Sequence, residues 1–280
     1  MANNKTPKEL TFWDHLDELR VLLFRVFGAL LILAVGYFIA MPYLFEYVIL
    51  APTHNDFVFY RFLRWIGESL HLSGDFFTQE FNVQLININL AAPFFIHIST
   101  AFWMAVVTAV PYLFFEIWRF INPALYDNER KGVRKSLGLG TLFFFMGVCV
   151  GYFLVYPLTL RFLASYQLSP DIANQISLNS YIDNFMMLVL CMGLAFELPL
   201  LTWFLSLLGI INKSFLRKYR RHAAVVIVFV AAIITPTGDP FTLTAVSLPL
   251  YLLYELSILM ITDKIKEEDD EESTEVIKEL

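Results

Sequence analysis

The chain has 280 residues, of which 58% are hydrophobic and 16% are aromatic, and its mean hydropathy is +0.60. This composition is typical of a membrane protein, and the longest segment outside the apolar runs, about fifty residues, leaves little room for a soluble enzyme domain. The formal net charge of −6 is concentrated in the acidic C-terminal tail, and we expect no nucleic-acid partner.

Six apolar segments predict membrane-spanning helices, because a bilayer offers no water to unpaired backbone groups. They cover residues 21–44, 93–115, 137–158, 181–208, 222–235 and 241–261. At helical rise the fifth segment spans about 21 Å, which is short of a hydrocarbon core of ~30 Å. The sixth segment, with 21 residues, only just exceeds the roughly 20 that are needed to cross the core. The predicted fold class is therefore an all-α, polytopic integral membrane protein with six transmembrane helices.

The distribution of basic residues predicts the orientation of these helices. If the N-terminus is cytoplasmic, seventeen of the twenty Lys and Arg residues fall on the cytoplasmic side and three fall outside. The outer three are Arg61, Arg64 and Arg161. Under the positive-inside rule, both termini are expected in the cytoplasm.

Residues 1–262 are predicted to form a single membrane domain. Its first part is an interfacial helix over residues 7–20, preceded by the capping box Thr6-Pro-Lys-Glu9. Residues 43–92 form a long outer loop whose aromatic stretches predict an amphipathic helix. Gly147 and Gly151, four positions apart in the third span, predict a close helix approach. Residues 263–280 are predicted to be a disordered, acidic cytoplasmic tail.

Glu197 is an acid inside the fourth apolar segment. About 14 helical residues separate it from Asp183, which places its carboxyl roughly 21 Å along the helix, near the middle of the bilayer. Pro199, two positions later, removes the hydrogen bond to the Ala195 carbonyl. The acid either is hydrogen-bonded inside the bundle or serves a function, and we favour a function.

A second candidate site lies in the predicted cytoplasmic loop between spans two and three. Pro123 and Asp127-Asn128 separate two short helices there, and Glu129 near the second helix start can stabilise the helix dipole. The same carboxylate lies close to an apolar platform, Phe120-Ile-Asn-Pro-Ala-Leu-Tyr126. The loop is equally able to bind a cationic, partly apolar peptide.

Several motifs, in colinear order, resemble the TatC family, the core subunit of twin-arginine protein translocation. They are His15-Leu-Asp-Glu-Leu-Arg20, the segment from Trp118 to Arg130, Phe196-Glu-Leu-Pro199, Leu216-Arg-Lys-Tyr-Arg220, Thr235-Pro-Thr-Gly-Asp239 and Leu248-Pro-Leu-Tyr-Leu-Leu-Tyr-Glu255. Together they cover about residues 12–262. The outer loop looks longer than usual, the turn before Asp239 carries an extra Gly, and the acidic tail departs from the family pattern.

The resemblance implies a non-enzymatic subunit without cofactor or metal, folded as a concave, glove-like bundle in the bacterial cytoplasmic membrane. Such a protein recognises Arg-Arg signal peptides of folded cargo and exports the cargo with TatA- and TatB-type single-span partners, as an oligomer, using the proton-motive force. The signal-binding positions it implies are Glu18, Arg20, Phe120, Pro123, Tyr126, Glu129 and Arg130. Glu197 and Pro199 correspond to a partner-contacting intramembrane site, and Pro52 and Asp239 to important outer-face positions.

Two other classes of protein fit the sequence less well. An intramembrane aspartyl protease would need two Asp residues at one depth, but the predicted topology puts Asp127 and Asp239 on opposite faces. An ion-coupled secondary transporter is better motivated by the buried Glu197 beside a Pro-broken helix. However, spans one to three show no repeat in spans four to six.

Overall fold

A computed structural model describes residues 12–69, 71, 81–122, 127–166, 169, 174–207, 209–235 and 239–261. The predicted capping box at Thr6 and the predicted acidic tail lie outside these residues. The chain divides into two compact units, Met1–Gly193 and Leu194–Leu280, which are described separately.

The described secondary structure is almost entirely helical, as the sequence predicted. The α-helices are α1 (Phe12–Leu44), α2 (Val58–Ser69), α3 (Ala92–Ile121), α4 (Asp127–Val150), α5 (Tyr156–Ser165), α6 (Leu178–Ala195), α7 (Leu198–Leu207), α8 (Lys213–Lys218), α9 (Arg220–Ile234) and α10 (Pro240–Met260). Two π-helices, π1 (Phe45–Ile49) and π2 (Gly151–Val155), follow α1 and α4, and a 3-10 turn covers Ala51–Thr53. The described strands are β1 (Leu85–Ile86) and β2 (Ile176–Ser177).

Five helical segments in the described residues are long and apolar enough to cross a membrane. They include most of α1, α3 and α10, the run from α4 through α5, and the run from α6 into α7. Helix α9 has 15 residues, about 22 Å at helical rise, and falls short of this length. The short fifth segment is thus confirmed as a short helix, while the count of six spans stays a prediction.

In the first unit, α1 packs along α3, and one side chain of α3 donates a hydrogen bond to an α1 carbonyl that lacks its helical donor. Pro42 lies inside α1 and has no amide hydrogen, so the Phe38 carbonyl loses its helical donor. The His97 Nε2 atom of α3 lies 2.8 Å from this carbonyl oxygen. Since a carbonyl only accepts, Nε2 carries the proton. A proline in an apolar helix is therefore compensated by a donor from its neighbour.

The loops of the first unit are tied to each other and to the helix ends. Strand β1 pairs in parallel with β2, with Leu85 opposite Ile176 and Ile86 opposite Ser177. The amide of Val83 donates to the Thr53 carbonyl oxygen at 3.1 Å. The helix predicted in the long loop is present as α2.

The close approach predicted for the Gly147 and Gly151 segment occurs between π2 and α6. A Cβ atom added at Gly151 would lie 3.0 Å from the Val189 Cα atom and 3.1 Å from the Met192 Cβ atom. One added at Gly193 would lie 2.9 Å from both the Phe144 and Val148 side chains. Glycine at position 151 lets π2 approach the backbone of α6, and glycine at position 193 leaves room for the Phe144 and Val148 side chains of α4.

In the second unit, α7 ends in a Schellman motif at Gly209, which has a φ of 72°. The amide of Gly209 donates to the Ser206 carbonyl, and the amide of Ile210 donates to the Leu205 carbonyl, both at 3.0 Å. These two bonds pair the amides that directly follow the last turn of α7. Helix α8 then packs against α10 through the buried residues Leu216, Ile258 and Ile261.

Candidate functional site

One end of the first unit, where α1 begins and α3 ends, contains a cavity of about 300 Å³ that we call the charged cavity. Its lining residues are Asp17, Glu18, Val21, Leu22 and Arg25 of α1 and Glu116, Arg119 and Phe120 of α3. The spacing of three and four residues puts each set on one face of its helix. Charged groups and an apolar wall therefore share one opening, and it can accept a ligand that is partly cationic and partly apolar.

The floor of the charged cavity is a buried carboxylate. Glu116 is only 2% exposed, and its Oε1 atom accepts a 2.9 Å hydrogen bond from the Tyr112 hydroxyl one helical turn earlier. Its Oε2 atom lies 3.5 Å from the Arg25 Nη1 atom. The contact with Arg25 links α1 to α3 and offsets the cost of burying the charge.

Of the residues predicted for peptide binding, Glu18 and Phe120 line the charged cavity together. Arg20 lies instead on an apolar face of α1 beside Leu16, Leu19, Leu23, Phe24 and Phe27. Its guanidinium carbon is 5.7 Å from the centre of the Phe24 ring. Pro123 and Tyr126 lie outside the described residues. Glu129 and Arg130 belong to the first turns of α4, whose backbone alone is described there.

Glu116 and Arg25 were not predicted as site residues from the sequence. The available signal was an acid near the end of a long apolar helix, four positions after a tyrosine, together with an arginine inside the first apolar segment. Such charges need partners in a membrane protein. Only the packing of α1 on α3 shows that Glu116 and Arg25 are partners of each other.

Pro52 contacts a second group of polar side chains, which we call the tyrosine cluster (Tyr60, Tyr152, Tyr156 and Tyr181). As a proline it cannot donate the helical amide bond to the Val48 carbonyl. The Tyr152 hydroxyl of π2 donates to that carbonyl at 2.8 Å. The Pro52 carbonyl in turn accepts a 2.9 Å hydrogen bond from the buried Tyr60 hydroxyl.

A buried cation completes the tyrosine cluster. Arg161 is 5% exposed, and its guanidinium carbon lies 5.6 Å from the Tyr60 ring centre and 5.4 Å from the Phe81 ring centre. These distances are within the range of cation–π attraction. The tyrosine cluster therefore holds α2, α5 and the segment after π1 together, which gives Pro52 an architectural role.

Glu197 lies at a break between α6, which ends at Ala195, and α7, which begins at Leu198. The break is where Pro199 was expected to weaken the helix. The Glu197 side chain is half-buried, and its Oε1 atom is buried without a hydrogen-bond partner among the described residues. A buried acceptor without a donor is costly, so this oxygen is available to a donor from outside the described chain.

Asp239 and Glu255 both have clear partners in the second unit. Asp239 is the N-cap of α10, where its Oδ1 atom accepts a 2.7 Å hydrogen bond from the Thr242 amide. Glu255 accepts a 2.5 Å hydrogen bond from the Arg220 Nη2 atom of α9. Asp239 therefore caps the start of α10, and Glu255 links α10 to α9.

Long helices with exposed apolar faces define this chain as a polytopic α-helical integral membrane protein. Ile32, Ile39 and Phe229 are more than 60% exposed, which suits contact with lipid rather than water. The profile of the TatC family, described as Sec-independent protein translocase protein, matches residues 14–249. The chain belongs to the TatC family, so it is a protein translocase subunit and not an enzyme.

Curated relatives agree with this assignment over most of the chain. The Sec-independent protein translocase protein TatC of Blattabacterium sp. subsp. Periplaneta americana is 34% identical over 259 residues, which covers 92% of this chain and 96% of the relative. The protein of the same description from Deinococcus radiodurans is 36% identical over 261 residues, covering 91% and 87% respectively.

A solved structure has the same fold. A crystal structure described as the twin arginine translocase receptor TatC superposes with a TM-score of 0.66 at 32% sequence identity, over 88% of this chain and 97% of that chain. The family assignment favours protein translocation over the ion-coupled solute transport that the buried acid left open.

Proposed function

We propose that the chain recognises signal peptides carrying an Arg-Arg pair on folded cargo, and that the charged cavity receives this pair. The observation that supports this most directly is that Glu18 and Phe120, from two different helices, line one cavity. Carboxylates bind the planar guanidinium fork with two parallel hydrogen bonds. Phe120, Val21 and Leu22 offer an apolar wall to the hydrophobic part of a signal.

In the same proposal, the charged cavity faces the cytoplasm of a bacterial cell and both termini are cytoplasmic, as the seventeen-to-three distribution of basic residues indicates. Glu129 and Arg130, at the start of α4, and Pro123 and Tyr126 before it contribute to the same recognition surface. Glu197 contacts TatA- or TatB-type single-span partners within the membrane. The assembled oligomer moves folded cargo outward with the proton-motive force.

The test is binding of a synthetic Arg-Arg signal peptide to the purified chain in detergent at fixed salt, compared with a Lys-Lys version. Glu18→Gln is expected to weaken Arg-Arg binding roughly tenfold, because a charged hydrogen bond is lost. Glu129→Gln should add to this loss. The Lys-Lys peptide should bind less well than Arg-Arg, because an ammonium is a point charge and not a fork.

The matched control is Glu46→Gln, which removes the same charge from an exposed acid of π1, outside the charged cavity. This variant should bind the Arg-Arg peptide like the unmodified chain. Failure of the unmodified chain to prefer Arg-Arg over Lys-Lys would refute the proposed recognition.

A further inference from the structure

Glu116 has unused capacity to accept hydrogen bonds although it is buried. Among the described residues, its Oε1 atom has a short hydrogen bond to Tyr112, but its Oε2 atom has only the 3.5 Å contact with Arg25. A well-formed guanidinium–carboxylate hydrogen bond is about 2.7–2.9 Å long. The Oε2 atom can therefore accept a shorter bond from a better-placed guanidinium.

Arg25 is the group that occupies this position in the described chain. Its side chain is 40% exposed, in contrast to 3% for the side chain of Glu116, and both line the charged cavity. A guanidinium that is partly in water can turn outward and exchange its carboxylate for hydration at small cost. The buried Glu116 cannot move in the same way without breaking its bond to Tyr112.

The charge count of the cavity favours such an exchange when a doubly cationic peptide enters. The lining contains three carboxylates, Asp17, Glu18 and Glu116, and two guanidiniums, Arg25 and Arg119. Two incoming guanidiniums would place four cations against three anions. Like charges at close range repel strongly in a partly buried site. Release of Arg25 restores the balance.

We propose that, in the free protein, Arg25 occupies the position that a signal-peptide arginine takes beside Glu116. An incoming guanidinium then displaces Arg25 from Glu116. This inference rests on the proposed function and adds Glu116 as a further specificity-determining residue of the charged cavity. If Glu116 and Arg25 formed a purely structural pair, removal of either one would change peptide affinity in the same direction. The proposal predicts opposite directions: loss of Glu116 weakens binding, and loss of Arg25 tightens it.

The experiment measures affinity for the Arg-Arg signal peptide, with the Lys-Lys peptide in parallel, for the complete chain and four variants. Glu116→Gln keeps the size of the side chain and the acceptor for Tyr112, and should weaken Arg-Arg binding roughly tenfold. Arg25→Gln removes the competing cation and should tighten binding several-fold. Arg25→Lys keeps a cation and should give an intermediate gain. The double variant Arg25→Gln/Glu116→Gln should bind as weakly as Glu116→Gln alone.

The control is Arg134→Gln, which removes an exposed arginine of α4 that does not line the charged cavity. It should leave affinity unchanged, and tightening equal to that of Arg25→Gln would overturn the inference. Weaker binding in both Arg25 variants, each with a thermal midpoint like that of the unmodified chain, would also overturn it. If the unmodified chain prefers Arg-Arg but Glu116→Gln binds equally well, this inference fails alone. If the unmodified chain shows no preference, the proposed function itself fails.

Discussion

The Tyr181 hydroxyl donates a 2.5 Å hydrogen bond to the Ile49 carbonyl oxygen, across 132 positions of the chain. All three helical donors to this carbonyl are unavailable. Pro52 has no amide hydrogen, and the amides of Thr53 and His54 donate to Leu50 and Ala51 instead. The tyrosine therefore satisfies an acceptor that the end of π1 leaves open.

We expect Tyr181→Phe to lower the thermal stability of the purified chain in detergent. Both Tyr181 and Ile49 are 1% exposed, so the lost bond leaves a buried carbonyl unpaired, at a cost of about 1–3 kcal/mol. The measurement is the midpoint of thermal unfolding. Tyr166→Phe is the control, because Tyr166 is 61% exposed and its hydroxyl can bond to solvent. Equal midpoints for the two variants would contradict the role given to Tyr181.

Gly151→Ala is expected to destabilise the first unit. The new methyl group would meet the Val189 Cα atom at 3.0 Å, so π2 and α6 must move apart, at a cost of about 1–3 kcal/mol. Gly138→Ala, in α4, adds the same group where nothing lies within 4 Å of it. That control should be neutral or slightly stabilising, since alanine favours the helix. The measurement is the midpoint of thermal unfolding of both variants. An unchanged midpoint for Gly151→Ala would show that π2 and α6 can accommodate the methyl group without loss of stability.

Asp239→Ala should destabilise the second unit by about 1 kcal/mol, because the Thr242 amide loses its cap. Asp239→Asn keeps an acceptor oxygen at the same position and should retain nearly full thermal stability. The pair of variants separates capping from charge. A thermal midpoint for Asp239→Asn as low as that for Asp239→Ala would rule out capping as the reason for an acid here. An export defect in a stable Asp239→Asn variant would point to an outer-face role.

Glu197→Ala is expected to impair export of a folded reporter while leaving binding of the Arg-Arg signal peptide intact. Export should suffer because the unsatisfied Oε1 atom of Glu197 can accept a hydrogen bond from a partner helix. Peptide binding should be kept because Glu197 is not among the residues that line the charged cavity. Crosslinking to a single-span partner should fall together with export.

Glu197→Gln is the companion variant, because it keeps an acceptor oxygen and removes the charge. Better export with Gln than with Ala would assign the effect to hydrogen bonding, and equal failure of both would assign it to charge. Full export by Glu197→Ala would leave the acid with only a structural role.

Much of the fold could be predicted from local sequence. The apolar runs, the short segment that became α9 and the break beside Pro199 depend on residues close together in the chain. The helix in the long loop was likewise predicted from its aromatic stretches and is present as α2. The two-residue pairing of β1 with β2 had no such signal, because it joins loops that are far apart in sequence.

The candidate site was predicted only in part. Glu18 and Phe120 were expected to act together, and they share the charged cavity. Arg20 was grouped with them through the family resemblance, but two positions along a helix from Glu18 turn a side chain by about 200°, which puts Arg20 on another face of α1. Its place beside Phe24 leaves its role in recognition a prediction.

By itself, the sequence determined that this is a helical membrane protein, that one helix is weakened beside Pro199, and which positions lack an amide donor, because hydrophobicity and missing proline amides act locally. It could not determine which groups pair with the carbonyls that these prolines leave without a donor. The tertiary structure alone decided that His97 serves the carbonyl freed by Pro42, that Tyr152 serves the one freed by Pro52, and that Glu116 meets Arg25, 91 positions away. Such partners are selected by the packing of whole helices, and no local pattern specifies them.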